Sequence, residues 1–302
     1  MGDIMLRVRH YTLTDKLIPK SIKIVNISDV HSDYLKLQDA LTYAAFIDAD
    51  IITIVGDLFD AIGNKNNQRI VELLYSQDRK IFISLGNHDY IDFDRKGFFG
   101  IFHKNDDMSY FNYLNSKPNI KVFINDGDIE EYDDIIFTAF DPGYSWYYDT
   151  EEDKELFSKL FQDYLGLFKD TDKFRIMLLH SCNGLIIDNE LKNEIPNISL
   201  VLSGHNHAGQ TPEFIQSISK NNRGIVCPFE KFFMKGSYGY WTNNNTSVIL
   251  SNGLTKMGEG HGPALLCKSM NAILKEDIEV INLVNGDKHE LKMNKKELIK
   301  KI

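Results

Sequence analysis

Eight short apolar runs recur along this chain, each too brief for an ordinary helix and most of them rich in β-branched residues. They run from Ile22 to Ile27, Ile51 to Val55, Ile81 to Ile83, Ile135 to Phe137, Arg175 to Leu179, Leu200 to Leu202, Ser247 to Leu250 and Ile278 to Leu283. Such runs favour strands, and several are nearly continuous in apolar character, as expected of strands covered on both faces. Between the early runs, Tyr34 to Phe46 places Leu37, Leu41, Ala44 and Ala45 on one helical face, and Asn67 to Tyr75 behaves similarly. Strands alternating with helices imply βαβ units and an α/β layered fold. From about Lys121 the strands come with fewer helices, which predicts a second, more antiparallel sheet packed on the first.

No internal repeat, linker or boundary interrupts residues 1–302, so the expectation is one catalytic domain with its core at about 22–283. Two inserts, about 90–117 and 144–173, are aromatic and charged. The second holds Trp146, Tyr147 and Tyr148, then an amphipathic helix with Phe157, Leu160, Phe161, Tyr164 and Phe168 on one face. These aromatics pack the inserts onto the core or wall a substrate pocket. Residues 295–302 form a basic tail, read as a solvated helix end or a disordered segment.

Five of the apolar runs lead into short polar signatures: Asp29-Val30-His31, Gly56-Asp57, Gly86-Asn87-His88-Asp89, His180, and Gly204-His205-Asn206-His207. Asp, Asn and His are oxygen and imidazole ligands suited to transition metals. An alternating strand end sends residues i and i+2 to one side, so Asp29 with His31, and His205 with His207, can each grip an ion. A carboxylate has two oxygens, which lets Asp57 bridge two cations. Asp29, His31, Asp57, Asn87, His180, His205 and His207 are thus seven candidate ligands, enough for two ions and a reactive water. Cys182, two residues after His180, reads as a small buried thiol. Cys182, Cys227 and Cys267 suggest neither a disulfide framework nor a zinc motif.

These blocks, in this order, resemble the D-x-H, G-D, G-N-H-D, H and G-H-x-H pattern of calcineurin-like metallophosphoesterases. The resemblance spans about 22–283 and implies a four-layer α/β/β/α sandwich with two mixed β-sheets. It further implies that Asp29, His31 and His207 hold one metal and Asn87, His180 and His205 the other, with Asp57 bridging. His88 would be the catalytic histidine and Asp89 its carboxylate partner. Leu202 to Gln210 and Ser247 to Leu254 are similar to segments of a bacterial branch of phosphodiesterases and UDP-2,3-diacylglucosamine pyrophosphatases. Asn206, Ala208 and Asn252 stand here for that branch's Thr, Gly and Arg. Asn252 cannot give the bidentate phosphate recognition of an Arg.

The expected activity is dinuclear-metal-dependent phosphohydrolysis, foremost of phosphodiesters, by in-line attack of a hydroxide held between the ions. A protein or small-molecule phosphomonoesterase is the alternative reading, and a silent interaction scaffold a third. Manganese is the expected metal, with Fe, Zn, Co or Ni also suited to these ligands. A net charge of −9 argues against an extended nucleic-acid surface and leaves a small phosphoester as the partner. No apolar stretch reaches the length of a membrane span, and residues 1–20 carry no signal core, so a cytoplasmic location is expected. Oligomeric state is left open. His261 reads as a loop residue with substrate contact as the alternative, and His10 and His289 show no ligand spacing.

Overall fold

The computed structural model describes residues 5–94, 101–105, 107–124, 127–141, 154–168, 172–182, 195, 197–219, 222–227, 231–232, 235–255 and 276–300. Trp146, Tyr147, Tyr148, His261 and Cys267 lie outside them, as do parts of both inserts. The chain begins with β1 (Met5–Asp15) and β2 (Ile22–Ser28), then alternates α1 (Tyr34–Phe46), β3 (Ile51–Val55), α2 (Asn67–Tyr75) and β4 (Lys80–Ser84). An antiparallel pair, β5 (Ile91–Asp94) and β6 (Ile101–Lys104), precedes α3 (Ser109–Asn115) and β7 (Ile120–Phe123). The second half contributes β8 (Ile129–Tyr132), β9 (Ile135–Ala139), α4 (Lys154–Gly166), β10 (Phe174–Leu178) and β11 (Leu200–Ser203). After the short pair β12 (Val226–Cys227) and β13 (Lys231–Phe232) come β14 (Gly239–Asn243), β15 (Thr246–Leu250), β16 (Ile278–Asn285) and β17 (Glu290–Lys300).

Two sheets result, ordered β17-β1-β16-β2-β3-β4-β7 and β14-β15-β11-β10-β9-β8. Both are mixed. The second sheet departs from the antiparallel expectation: β9, β10, β11 and β15 pair in parallel, and only β8 and β14 at its edges run antiparallel. The central strands carry apolar residues on both faces, as parallel strands covered by helices must.

Period-two alternation sorts these residues into three apolar layers. In β3, Ile52 and Ile54 face α1 and α2, where Leu37, Ala40, Leu41, Ile70, Val71 and Leu74 cover them. Ile51 and Val55 point the other way, against Phe137, Phe174, Ile176, Leu178 and Leu202 of the second sheet. Met177 and Leu179 project outward under Phe161, Tyr164 and Leu165 of α4 and Phe168 just after it. The order is helix, sheet, sheet, helix: the four-layer α/β/β/α sandwich. Leu160, expected on the packed face of α4, is instead exposed. Cys182 is buried in the α4 layer among Met177 and Leu179.

The two ends of the chain correct the sequence reading. Residues 5–15 and 290–300 are strands: β1 is flanked by β16 and by β17, so the tail read as a helix end or disordered is sheet edge from Lys295 to Lys300. Their charges hid the pattern. Arg7 and Arg9 are buried, and Arg9 Nε pairs with Asp277 at 2.5 Å. On the edge strand β17, Lys292, Lys295 and Lys296 suit a position where charge discourages further strand pairing. His289 ties the two sheets together, facing Asp15 at 2.6 Å and Ser247 at 2.9 Å, and His10 meets Glu297 at 2.5 Å. Among the described residues, no helix is long and apolar enough to cross a membrane.

Candidate metal centre

Parallel pairing carries the ends of β2, β3 and β4 to one edge of the first sheet, and β10, β11 and β15 bring theirs to the facing edge of the second. The ladders continue into the loops beyond. Asp29 N donates to Gly56 O, His31 N to Asp57 O and Gly56 N to Ser84 O, while Gly204 N donates to His180 O and Ser251 N to Ser203 O. The five polar signatures therefore meet at one place. Asp29, His31, Asp57, His205 and His207 all have left-handed backbones, with φ of 51°, 46°, 52°, 69° and 42°. Each costs on the order of 1–3 kcal/mol, so the surrounding bonds must impose it. The i, i+2 pairs thus lie past the ends of β2 and β11, and it is this turn geometry that aims them, not strand alternation.

Glycines make the close approach possible. A Cβ on Gly56 (φ 69°) would overlap the His180 ring, and one on Gly204 would lie 2.6 Å from Asp29 Oδ2.

Two pockets share Asp57. In the first, the ligand atoms of Asp29, His31 and His207 lie within 4.8 Å of one another; in the second, those of Asp57, His180 and His205 do. His207 Nε2 is 3.5 Å from Asp29 Oδ1 and 3.3 Å from His31 Nε2. Asp57 Oδ2 faces both pockets, 3.6 Å from His31 Nε2 and 3.3 Å from His180 Nε2. Its other oxygen accepts the His88 backbone N–H at 2.8 Å, so a single oxygen, not two, is turned to the pockets. Asn87 is buried, and its Oδ1 accepts no hydrogen bond. A buried carbonyl oxygen without a partner is costly. That orphan oxygen, with imidazole nitrogens aimed at carboxylates around it, is a donor set that fits a pair of transition-metal cations.

The electrostatics agree. Burial alone would raise the Asp57 carboxyl, but the His180, His88 and His31 rings hold it well below the usual carboxylate range. Burial would lower His180, yet the Asp57 charge raises it to about 10. His31 is likewise raised against burial, by Asp60 and Asp57. His205 is pushed well down by burial and then by His180, and His207 is lowered by burial. Each pocket thus pairs an imidazole raised by carboxylates, His31 or His180, with one lowered by burial, His207 or His205.

His88 joins His31 and Asp57 in a third close group and stacks edge-on to His31 at 4.6 Å. Its Nδ1 lies 2.9 Å from the Asp60 carbonyl and 3.9 Å from an Asp60 carboxylate oxygen. Asp89, the expected partner of His88, is occupied elsewhere. Its buried carboxylate accepts N–H bonds from Phe59 and Gly86 at 2.9 Å and stitches the loops after β3 and β4 together. Burial and the Asp57 charge push Asp89 up to about 7. Asp60, like the candidate ligand Asp57, faces His88, and it also lies 3.6 Å from His31 Nδ1. The sequence offered one signal for it: a second Asp three residues after Asp57.

Asn252 turns away from any phosphate role. Its Nδ2 donates to Asp277 at 2.8 Å inside the sandwich.

No curated protein matches the chain in sequence. Among solved structures, it is similar to TT1561 of Thermus thermophilus, at 12% identity and a TM-score of 0.45 over 78% of this chain and 92% of that one. It is also similar to a dimetal phosphatase from Danio rerio, at 10% identity and a TM-score of 0.44 over 95% and 100%. A novel archaeal phosphodiesterase is similar at 11% identity and a TM-score of 0.38 over 77% and 84%. The family model described as calcineurin-like phosphoesterase matches residues 22–209, well over half of the chain and all five signatures. The chain therefore belongs to the calcineurin-like phosphoesterase family and is a metal-dependent phosphoester hydrolase.

Proposed function

We propose that the chain is a dinuclear phosphodiesterase acting on a small phosphodiester. The observation that carries this reading is Asp57 Oδ2, which stands between two clusters of ligand atoms. Asp29, His31 and His207 would hold one cation, Asn87, His180 and His205 the other, and Asp57 both. Two such ions supply a water of lowered pKa and neutralise the phosphoryl oxygens.

The remaining steps belong to the chain's own residues. A backbone carbonyl only accepts, so the Asp60 carbonyl assigns the proton on His88 to Nδ1. Nε2 is then the nitrogen that exchanges a proton with the leaving oxygen. Burial outweighs the Asp57 charge and lowers His88, which makes its ring a readier proton donor to the leaving oxygen. Asp60, near both His31 and His88, couples the orientation of a ligand to that of the acid.

A diester over a monoester is supported by charge. The ion pairs at the centre join Asp to His, and Asn252 replaces an Arg in the resembling segment and bonds to Asp277. A monoanionic diester needs less cationic support than a dianionic monoester.

The test is hydrolysis of aryl phosphodiester, monoester and pyrophosphate substrates by the Mn²⁺-loaded chain. Diester turnover that a strong chelator abolishes is expected. A monoester preference would make the chain a phosphomonoesterase, and inertness on all three would leave an interaction scaffold.

A further inference from the structure

The loop that follows β15 touches the Asp29 pocket more closely than any role given to it so far. Thr255, which is buried, meets two of the pocket's residues through three groups. Its backbone N–H and its hydroxyl both donate to the Asp29 carbonyl, at 3.1 and 2.8 Å. Its own carbonyl lies 3.1 Å from His207 Nδ1. One residue therefore fixes the left-handed backbone of Asp29 and the tautomer of His207, with Nε2 turned to Asp29 and His31.

The loop is itself anchored. Leu254 N donates to Ser28 O, and Gly253 (φ 84°) passes so close that a Cβ there would lie 2.9 Å from Asp29 Cβ and 3.2 Å from His207 Nδ1. Asn252 bonds to Asp277 through N and Nδ2, Asp277 N returns a bond to Gly253 O, and Arg9 of β1 pairs with Asp277. A continuous run of contacts thus leads from the first strand to one metal pocket. The other pocket is braced differently: His180 Nδ1 faces the carbonyl of Val55, a residue of the core strand β3.

We propose that Thr255 is a positioning residue for the Asp29–His31–His207 pocket, setting its cation affinity without changing that of the pocket built on His180. The inference rests on the dinuclear reading above. Partners that orient a ligating histidine are worth roughly 10–100-fold in metal affinity. Removing the hydroxyl alone, with both backbone groups kept, should fall at the low end of that range.

Metal-stripped wild type, Thr255→Val and Thr255→Ser are titrated with Mn²⁺ by calorimetry, in the wild-type background and in His180→Ala, where the Asp29 pocket is the site left intact. Thr255→Val should weaken that pocket about 10-fold in both backgrounds and leave the second site at its wild-type affinity. Thr255→Ser, which keeps the hydroxyl, should restore it. Equal affinity in Thr255→Val and wild type overturns the proposal, as does equal weakening in Thr255→Val and Thr255→Ser. A wild-type chain that takes up fewer than two Mn²⁺ ions overturns the dinuclear reading itself, before any variant is compared.

Discussion

The two pockets use similar ligands but are supported in different ways. The pocket of Asp57, His180 and His205 is sunk between the sheets, with the His180 side chain 0% exposed and its ring held by a core-strand carbonyl. The pocket of Asp29, His31 and His207 is nearer the surface, with His31 and His207 side chains 13% and 16% exposed, and its bracing comes from a loop. A ligand set of one composition can therefore give an inner site whose geometry follows from the fold and an outer one whose geometry depends on Thr255. Second contacts around a metal site set orientation as much as the ligands do.

The largest effect should come from the residue that both pockets share. Asp57→Asn removes the charge facing His31 and His180, and elemental analysis should find both ions lost and turnover abolished. Retention of one ion would mean that the pockets are more independent than the geometry implies. His88→Ala tests the opposite case: turnover should fall roughly 10²–10⁴-fold while metal content stays unchanged. Loss of metal in that variant would make His88 a ligand of the third close group instead.

Asp60 and Asp89 separate orientation from support. Asp60→Asn should shift the pH–rate profile, because it faces His88 and His31. Asp89→Asn should leave the profile in place and lower thermal stability by about 1–3 kcal/mol, since its carboxylate satisfies buried backbone N–H groups. A pH–rate shift from Asp89 alone would restore the partner role expected from the sequence. Timed chelation should be biphasic, with the outer ion leaving first, and a single phase would erase the distinction between the pockets.

The smallest effect concerns the inner pocket without metal. His180 moves from 6.5 to about 10 on folding, so its proton stabilises the metal-free chain fully below 6.5. That contribution is lost as pH rises through about 10. The metal-free melting temperature should decline across this window, and His180→Ala should remove that decline. Because a cation must displace this proton, inner-site affinity should rise with pH over the same range.

Much of this was legible along the chain. Helices α1 and α2 have the limits that amphipathic spacing gave, and every apolar run became a strand, because a stripe or an alternation records directly which face is buried. Strand β1, and β17 that pairs with it, were missed because burial of Arg9 depends on Asp277, far away in sequence. Nothing local announces such a partner.

The sequence by itself determined the inventory: which residue types close each strand, their order, and hence the family and its metal-dependent chemistry. Tertiary structure decided what each of those residues does. It turned Asp29, His31, Asp57, His205 and His207 left-handed, gave both pockets a single Asp57 oxygen, set Asp60 against His88 and spent Asp89 on backbone amides. The reason is that a strand-end loop has little conformational preference of its own. Its shape is fixed by bonds to neighbours brought beside it by the sheets, as Asp29 is by Gly56 and Thr255.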